Sequence, residues 1–427
     1  MATILSRSPY FIRIENASAF TGKLELYVYT GTYSSAWTSN VTYTLTASSR
    51  PSGSTNEVIF EVGELIKDKI ELVAQDNANG TTGFFMNIEE LAESLAVAVD
   101  WRTFYKATGD TSFTLDTESL GNSAVLGWSK YSEGSNLSID VDDKYWWQRN
   151  PYIIKPFDAP ILVSGWTRPD INAITDESDK IYSLSAVTLT QTQEFVYSGF
   201  FGEYDEIGGV NTQGLSYDEA NHVNELLNPW NGTTPEFRYF PNNKRSDALK
   251  HQFRFRNAFD RIQFTNESNP NEYYGTTIQV ENIYDCEYKP YRLLFINKFG
   301  ALQELWMFKN SVLDLKVTEK TFKRNIVNYR TSSFVSEYYR PQDAQQTIYD
   351  KDGSQTITLN SGYYPESFNL AFEDLFMSEY VWLNYENATL PVVLTDKAFR
   401  YRNSKTDGLI NHTLVFAFAN DYNNNVR

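Results

Sequence analysis

The sequence predicts a mainly β protein: two or more β-sandwich domains, with one helix flanking the sandwich of the C-terminal domain. Three observations point there. The 427 residues include 28 Phe, 29 Tyr and 9 Trp, and with Thr and Val recurring in alternation this composition favours half-buried strands over helices. Short β-rich runs are punctuated by Gly, Pro and Asn at turn positions. Helical spacing is confined to a few stretches, and one near the C-terminus can cover a sheet face.

Residues 1–147 read as an N-terminal β-sandwich domain. The runs at 10–14, 23–30, 41–46 and 57–62 have strand character, with turn signals at Gly31, Pro51-Ser52-Gly53 and Asn79-Gly80. Between 63 and 73, Leu65, Ile66 and Ile70 fall on one side of a short helix. Beyond Ser94, Leu95, Val97, Val99 and Trp101 alternate strictly, which predicts a half-buried strand ending at Gly109.

A boundary falls near 145–151, and residues 148–281 form a middle β-rich region. Strand character resumes between prolines at 152–166. From 198 to 247 the composition shifts to Gly, Asn, Pro and acidic residues, the pattern of a long insertion. Inside it Ser216 and Glu219 form a capping box ahead of Val223, Leu226 and Leu227, which predicts a small helix. Such a loop cannot easily bury Trp230, Phe237 and Tyr239 alone, so contact with another chain is expected.

Residues 282–427 form the C-terminal domain, read as strand, turn, strand, strand, helix, strand, strand. Leu294 and Ile296, then Leu302 and Leu305, flank Phe299-Gly300 in the pattern of a hairpin. Phe368, Phe372, Leu375, Phe376 and Tyr380 recur at helical spacing, which predicts a helix near 365–379 lying across the sandwich. Asp352-Gly353 reads as a second hairpin turn.

Composition narrows the chemistry. A single cysteine, Cys286, leaves no intramolecular disulfide framework, and three histidines (His222, His251 and His412) make a thiolate or imidazole zinc site a poor fit. Cys286 reads as a small buried hydrophobe, and His412 as a ring facing solvent or a neighbour. The N-terminal segment lacks a charged stretch followed by an apolar one, and no apolar run approaches the ~18 residues of a membrane span, so cytoplasmic synthesis and no membrane span are expected. The formal net charge is −17. Residues 1–150 carry 11 Lys and Arg against 19 Asp and Glu, 151–250 carry 7 against 14, and 251–427 carry 19 against 21. Tight nucleic-acid binding needs a basic face, so this balance disfavours it.

Candidate catalytic groups are carboxylates. Glu203, Asp205 and Glu206, or Asp140, Asp142 and Asp143, could supply the acid pair of a glycosidase beside aromatic platforms, although as loop acids they read more simply as solvated. Asp350-Lys351-Asp352-Gly353 opens like a calcium loop but lacks the later ligands. Ser, His and Asp occur without a nucleophile elbow. No catalytic, cofactor-binding or metal residues and no cofactor are expected.

Two stretches resemble a known family. The segments RSPYFIRI, LYVYTG, VTYTLT and FEVGELIKDKIE, and at the other end RLLFINKFGALQELWMFK, LNSGYYPESFNLAFEDLFMSEYVWL, LPVVLTDKAFRYR and DGLINHTLVFAFANDYNNNVR, are similar to virion structural proteins of crAss-like and related phages of Bacteroidetes hosts. The likeness covers roughly half of the chain, at both ends, and the 198–247 stretch lies outside it. It implies a tail-hub or neck/tail ring protein with tail-tube-like sandwich domains, made in the host cytoplasm and built into the virion tail. Its partners would be copies of itself in a closed ring, other tail or neck proteins, and genomic DNA passing through the lumen without tight binding. The other reading is a tail spike or fibre that binds or hydrolyses host-surface carbohydrate.

Overall fold

The structure is a computed structural model that describes residues 3–16, 18–29, 41–52, 55–70, 96–136, 148–156, 159, 161–166, 182–187, 192–195, 237–241, 250–255, 261–266, 269–284, 287–326, 342–386, 388–401, 408–420 and 422; within 161–277 it describes the backbone alone. The described chain is mainly β, arranged in several sheets, with short helical segments.

Two N-terminal sheets share a core. In the first, the strands Thr3–Leu5, Thr114–Val125, Ala96–Lys106, Thr21–Tyr29 and Tyr43–Ser48 lie side by side in that order. The second holds Phe11–Asn16, Thr55–Glu61 and Arg50–Ser52. Alternate residues of both point inward, so Ile12, Ile14, Val58 and Phe60 meet Leu24, Leu26, Val97 and Val99 in one cluster. The strands expected at 10–14, 23–30, 41–46 and 57–62 are all present. The helix expected from 63 is the single turn Gly63–Lys67, with Ile66 buried, and Ile70 is buried just beyond it.

The middle region contributes two sheets. Ile161–Trp166, Lys250–Phe255 and Phe237–Pro241 form one, and Thr192–Phe195, Tyr182–Val187, Arg261–Asn266, Asn269–Ile283 and Tyr152–Pro156 the other. The stretch expected to be an insertion therefore includes a paired strand, with Phe237 opposite Phe255 and Pro241 opposite His251. The proposed helix at 216–227, Trp230 and Cys286 lie outside the described residues.

Near the C-terminus an antiparallel sheet of seven strands has the order Leu302–Met307, Tyr291–Ile296, Val381–Tyr385, Ala388–Leu394, Thr413–Phe418, Gln346–Asn360 and Val312–Lys323. The expected hairpin is its first pair, with Ile296 opposite Leu302 and Gly300 in the turn at φ +73°. Alternation sends Leu293, Phe295, Leu305 and Leu383 to one face, where the helix Asn369–Met377 and the 3-10 turn Glu366–Phe368 cover them with Phe368, Phe372 and Leu375. Leu294, Ile296, Leu302 and Trp382 point the other way into the N-terminal cluster. Both faces at this end are thus covered, and the one toward the N-terminal cluster carries the buried Arg292–Glu304 ion pair beside its apolar residues. Of the five residues expected along the helix face, Phe376 is partly buried, while Tyr380 lies past the helix end, stacked on Trp382 with ring centroids 6.0 Å apart.

Two expectations are corrected. Asp350-Lys351-Asp352-Gly353 is no turn: it lies inside the strand Gln346–Asn360, with Asp350 opposite Lys320 and Gly353 opposite Val317. Gly353 does not use the positive φ that a tight Asp-Gly turn requires. His412 is buried, not outward-facing, because its ring packs against Phe372 at 4.4 Å between centroids and against Phe399 at 5.5 Å.

Candidate assembly surface

The acids considered for catalysis, Glu203, Asp205, Glu206, Asp140, Asp142 and Asp143, lie outside the described residues, as does His222. Of His251 only the backbone is described, in the strand Lys250–Phe255. Asp350 and Asp352 are spread along a ladder: Asp350 Oδ2 accepts from Lys320 Nζ at 2.7 Å, and Asp352 Oδ1 accepts the amide of Gly353 at 2.9 Å. Among the described residues no group of three or more His, Cys, Asp and Glu is placed to hold a metal ion, and no helix is long and apolar enough to cross a membrane.

Chemistry concentrates instead at the junction between the two ends of the chain. The turn 297–301 is fastened by Asn297, whose Oδ1 accepts the amides of Phe299 and Ala301, each at 3.0 Å. That turn presses on 126–128, and Lys298 O accepts the amide of Trp128 at 2.8 Å. Lys298 Nζ pairs with Glu133 Oε1, and Arg7 Nε with Glu379 Oε1 at 3.2 Å. Arg149 donates to both carboxylate oxygens of Asp374 and to Glu373 Oε2, and its guanidinium faces the Trp128 ring at 5.8 Å. Lys130 and Tyr401 donate to the same Glu373.

Electrostatics splits these two neighbouring carboxylates. Burial pushes Asp374 up to about 6, against the pull of Arg149 and of the Lys298 amide. Burial also opposes ionisation of Glu373, but the hydrogen bonds from Lys130, Tyr401 and Arg149 outweigh it and hold the carboxyl at about 2. Burial and the Glu373 charge push the Tyr401 hydroxyl up to about 12. Every charge in this cluster is answered by another within the chain, so it acts as a clasp between segments distant in sequence.

The surface that faces outward is different in kind. At the edge of the seven-stranded sheet, Val312–Lys323 pairs among the described residues only with Gln346–Asn360, and every one of its residues is exposed. Leu313, Leu315 and Val317 share one face of this ribbon. Opposite Leu313 stands Ile357, which belongs to the helix-covered core. The apolar face of the sheet therefore runs on into the ribbon after its cover ends. Leu315 remains 48% exposed and Val317 47%, and Tyr422 lies against Gly353 beside them, its amide donating to Gly353 O at 3.2 Å. The opposite face carries Val312, Asp314, Lys316 and Thr318. A β-bulge after Lys320 inserts Tyr349, whose ring meets Phe322 at 6.0 Å. In the sequence this strand is marked only by the alternation of Leu313, Leu315 and Val317 with charged and polar residues, which does not tell a bare face from a covered one.

No protein-family model matches the chain, and no curated protein sequence matches it.

Proposed function

We propose that the chain is a bacteriophage virion structural protein, a tail-hub or neck/tail ring component whose copies assemble into a symmetric ring around the DNA-ejection channel. The observation that carries this reading is the uncovered apolar ribbon. A long edge strand with exposed Leu313, Leu315 and Val317 is a liability for a chain that works alone and an asset for one that works in an assembly. The likeness of the two ends of the sequence to crAss-like phage virion proteins supports the same reading, with tail-tube-like β-sandwiches as its domains. The surplus of acid in the first 250 residues suits a lumen past which DNA slides, because each basic phosphate contact would add salt-dependent affinity that holds the duplex. The spike or fibre alternative would draw on carboxylates outside the described residues, and the described geometry adds no observation in its favour.

Sedimentation velocity of the purified full chain over a wide concentration range tests the proposal. A discrete closed oligomer of high mass is expected. A monomer at every concentration that binds or cleaves host polysaccharide would replace the ring reading with the spike reading.

A further inference from the structure

We infer that the edge strand Val312–Lys323 is a two-fold docking site for a second copy of this chain, the two strands running antiparallel and centred on Leu315. Three features of the strand lead there. It is the last strand of its sheet, so one row of its backbone N–H and C=O groups has no partner strand among the described residues. Its apolar face, Leu313, Leu315 and Val317, is exposed where the face it continues is covered. Its charges are the deciding feature.

Toward the distal half, two charges next to each other are answered within the ribbon, Lys320 by Asp350 at 2.7 Å and Glu319 by Lys351 at 3.9 Å, while Lys323 at the far end stands opposite Gln346. Around Leu315 they are not. Asp314 stands opposite Thr356 and Lys316 opposite Ser354, both uncharged, and neither Asp314 nor Lys316 has an ion-pair partner among the described residues. These two residues flank Leu315 symmetrically and share one face. An antiparallel pairing with a two-fold axis at Leu315 places Asp314 of each copy opposite Lys316 of the other, which makes two ion pairs from the two free charges of each copy. The same register sets Leu313 against Val317, twice, and Leu315 against Leu315 on the axis. Opposed residues in an antiparallel pair share a face, so the apolar stripes of the two copies become one. Shifting the register by one residue would put the apolar face of one copy on the charged side of the other.

The pairing is isologous, so it joins copies two by two and leaves any ring-closing contact to a different surface. It rests on the same exposed ribbon as the proposed function and gives that ribbon a specific partner, but crosslinking reads this contact while imaged rings read that function.

Cysteine placement and charge reversal in the full chain test the register. Mild oxidation of the Leu315→Cys variant is expected to give a covalent dimer, while Thr318→Cys, whose copies lie roughly 20 Å apart in this register at ~3.4 Å per residue, is expected to stay uncrosslinked; the parent controls for Cys286. Asp314→Lys alone and Lys316→Asp alone are each expected to weaken dimerisation by about tenfold, since two attractions become two repulsions. The double reversal restores it, because the pairs re-form with signs exchanged. All of these residues are exposed, so folding is unaffected, which circular dichroism checks. Crosslinking of Thr318→Cys in preference to Leu315→Cys, no dimer in the parent, or a double reversal no better than the single ones would overturn the inference. In the last case the ribbon is covered by another segment of this chain or by a different protein. Rings that form while the double reversal fails to rescue would leave the proposed function standing and remove this contact alone.

Discussion

A Cβ placed on Gly300 would lie 2.8 Å from the backbone nitrogen of Gly127, and Gly300 itself holds φ at +73°. The two ends of the chain meet at that point with no room for a side chain. Gly300→Ala combines a left-handed backbone cost with a clash against main chain that cannot swing aside, so a loss of about 2 kcal/mol or more is expected. Urea unfolding reads it, and an unchanged midpoint would mean that the junction gives way more easily than its geometry implies.

Phe372 is fully buried, edge-on to Tyr364 at 5.8 Å and against His412 at 4.4 Å. Truncation to Ala removes a ring from a packed site between helix and sheet, and should cost about 3–5 kcal/mol. A loss below about 1 kcal/mol, the scale of a surface change, would place this helix outside the stabilising core.

The Asp374 carboxyl gives the chain a signature in pH. Its folded value of about 6 lies above the ordinary 3.8, so the folded state holds an extra proton between the two. Its contribution to stability is therefore fullest below pH 3.8 and declines as pH rises to about 6, by roughly 2–3 kcal/mol. Glu373 runs the other way: its value of about 2 is depressed from 4.5, so its contribution is present above 4.5 and fades as pH falls toward 2. Asp374→Asn removes the first dependence and leaves the second. The stability difference between parent and variant, followed by urea unfolding from pH 3.5 to 7, should change between pH 4 and 6 in favour of the variant as pH rises. A difference that stays flat would show that Arg149 offsets the burial and leaves Asp374 near its ordinary 3.8, and one that shifts against the parent as pH falls toward 3.8 would show that Arg149 keeps it ionised.

The hairpin around Gly300 and the helix through Phe372 were legible in the sequence because short-range signals, a turn residue and an apolar spacing, agree with what the tertiary structure needs. Asp352-Gly353 misled because a turn dipeptide carries no information about the strand lying beside it; twelve residue pairs of ladder, with Tyr422 across the glycine, hold it extended. Thr114–Val125 went unread since its first half mixes exposed Thr114, Leu115, Thr117 and Glu118 with half-buried Asp116 and Ser119, so no apolar alternation marks a buried face, and Gly121 interrupts the pattern further. The Arg149 clasp was beyond reach, as its partner Asp374 is 225 residues away. The ribbon's alternation was visible, but its exposure was not, because pattern shows which residues share a face and leaves open whether anything covers it.

If the lumen is neutral or acidic, the purified protein should show no measurable binding to duplex DNA at physiological salt, as a fluorescence-anisotropy titration would report. Tight binding that weakens steeply with added salt would mean a basic surface that holds DNA, and would count against a conduit.

Electron-microscope imaging of the full chain purified at assembly-promoting concentration decides whether its copies form a ring. Closed rings of uniform symmetry with an open channel at the centre are expected. Single globular particles at all concentrations, or elongated fibres with no lumen, would contradict the ring.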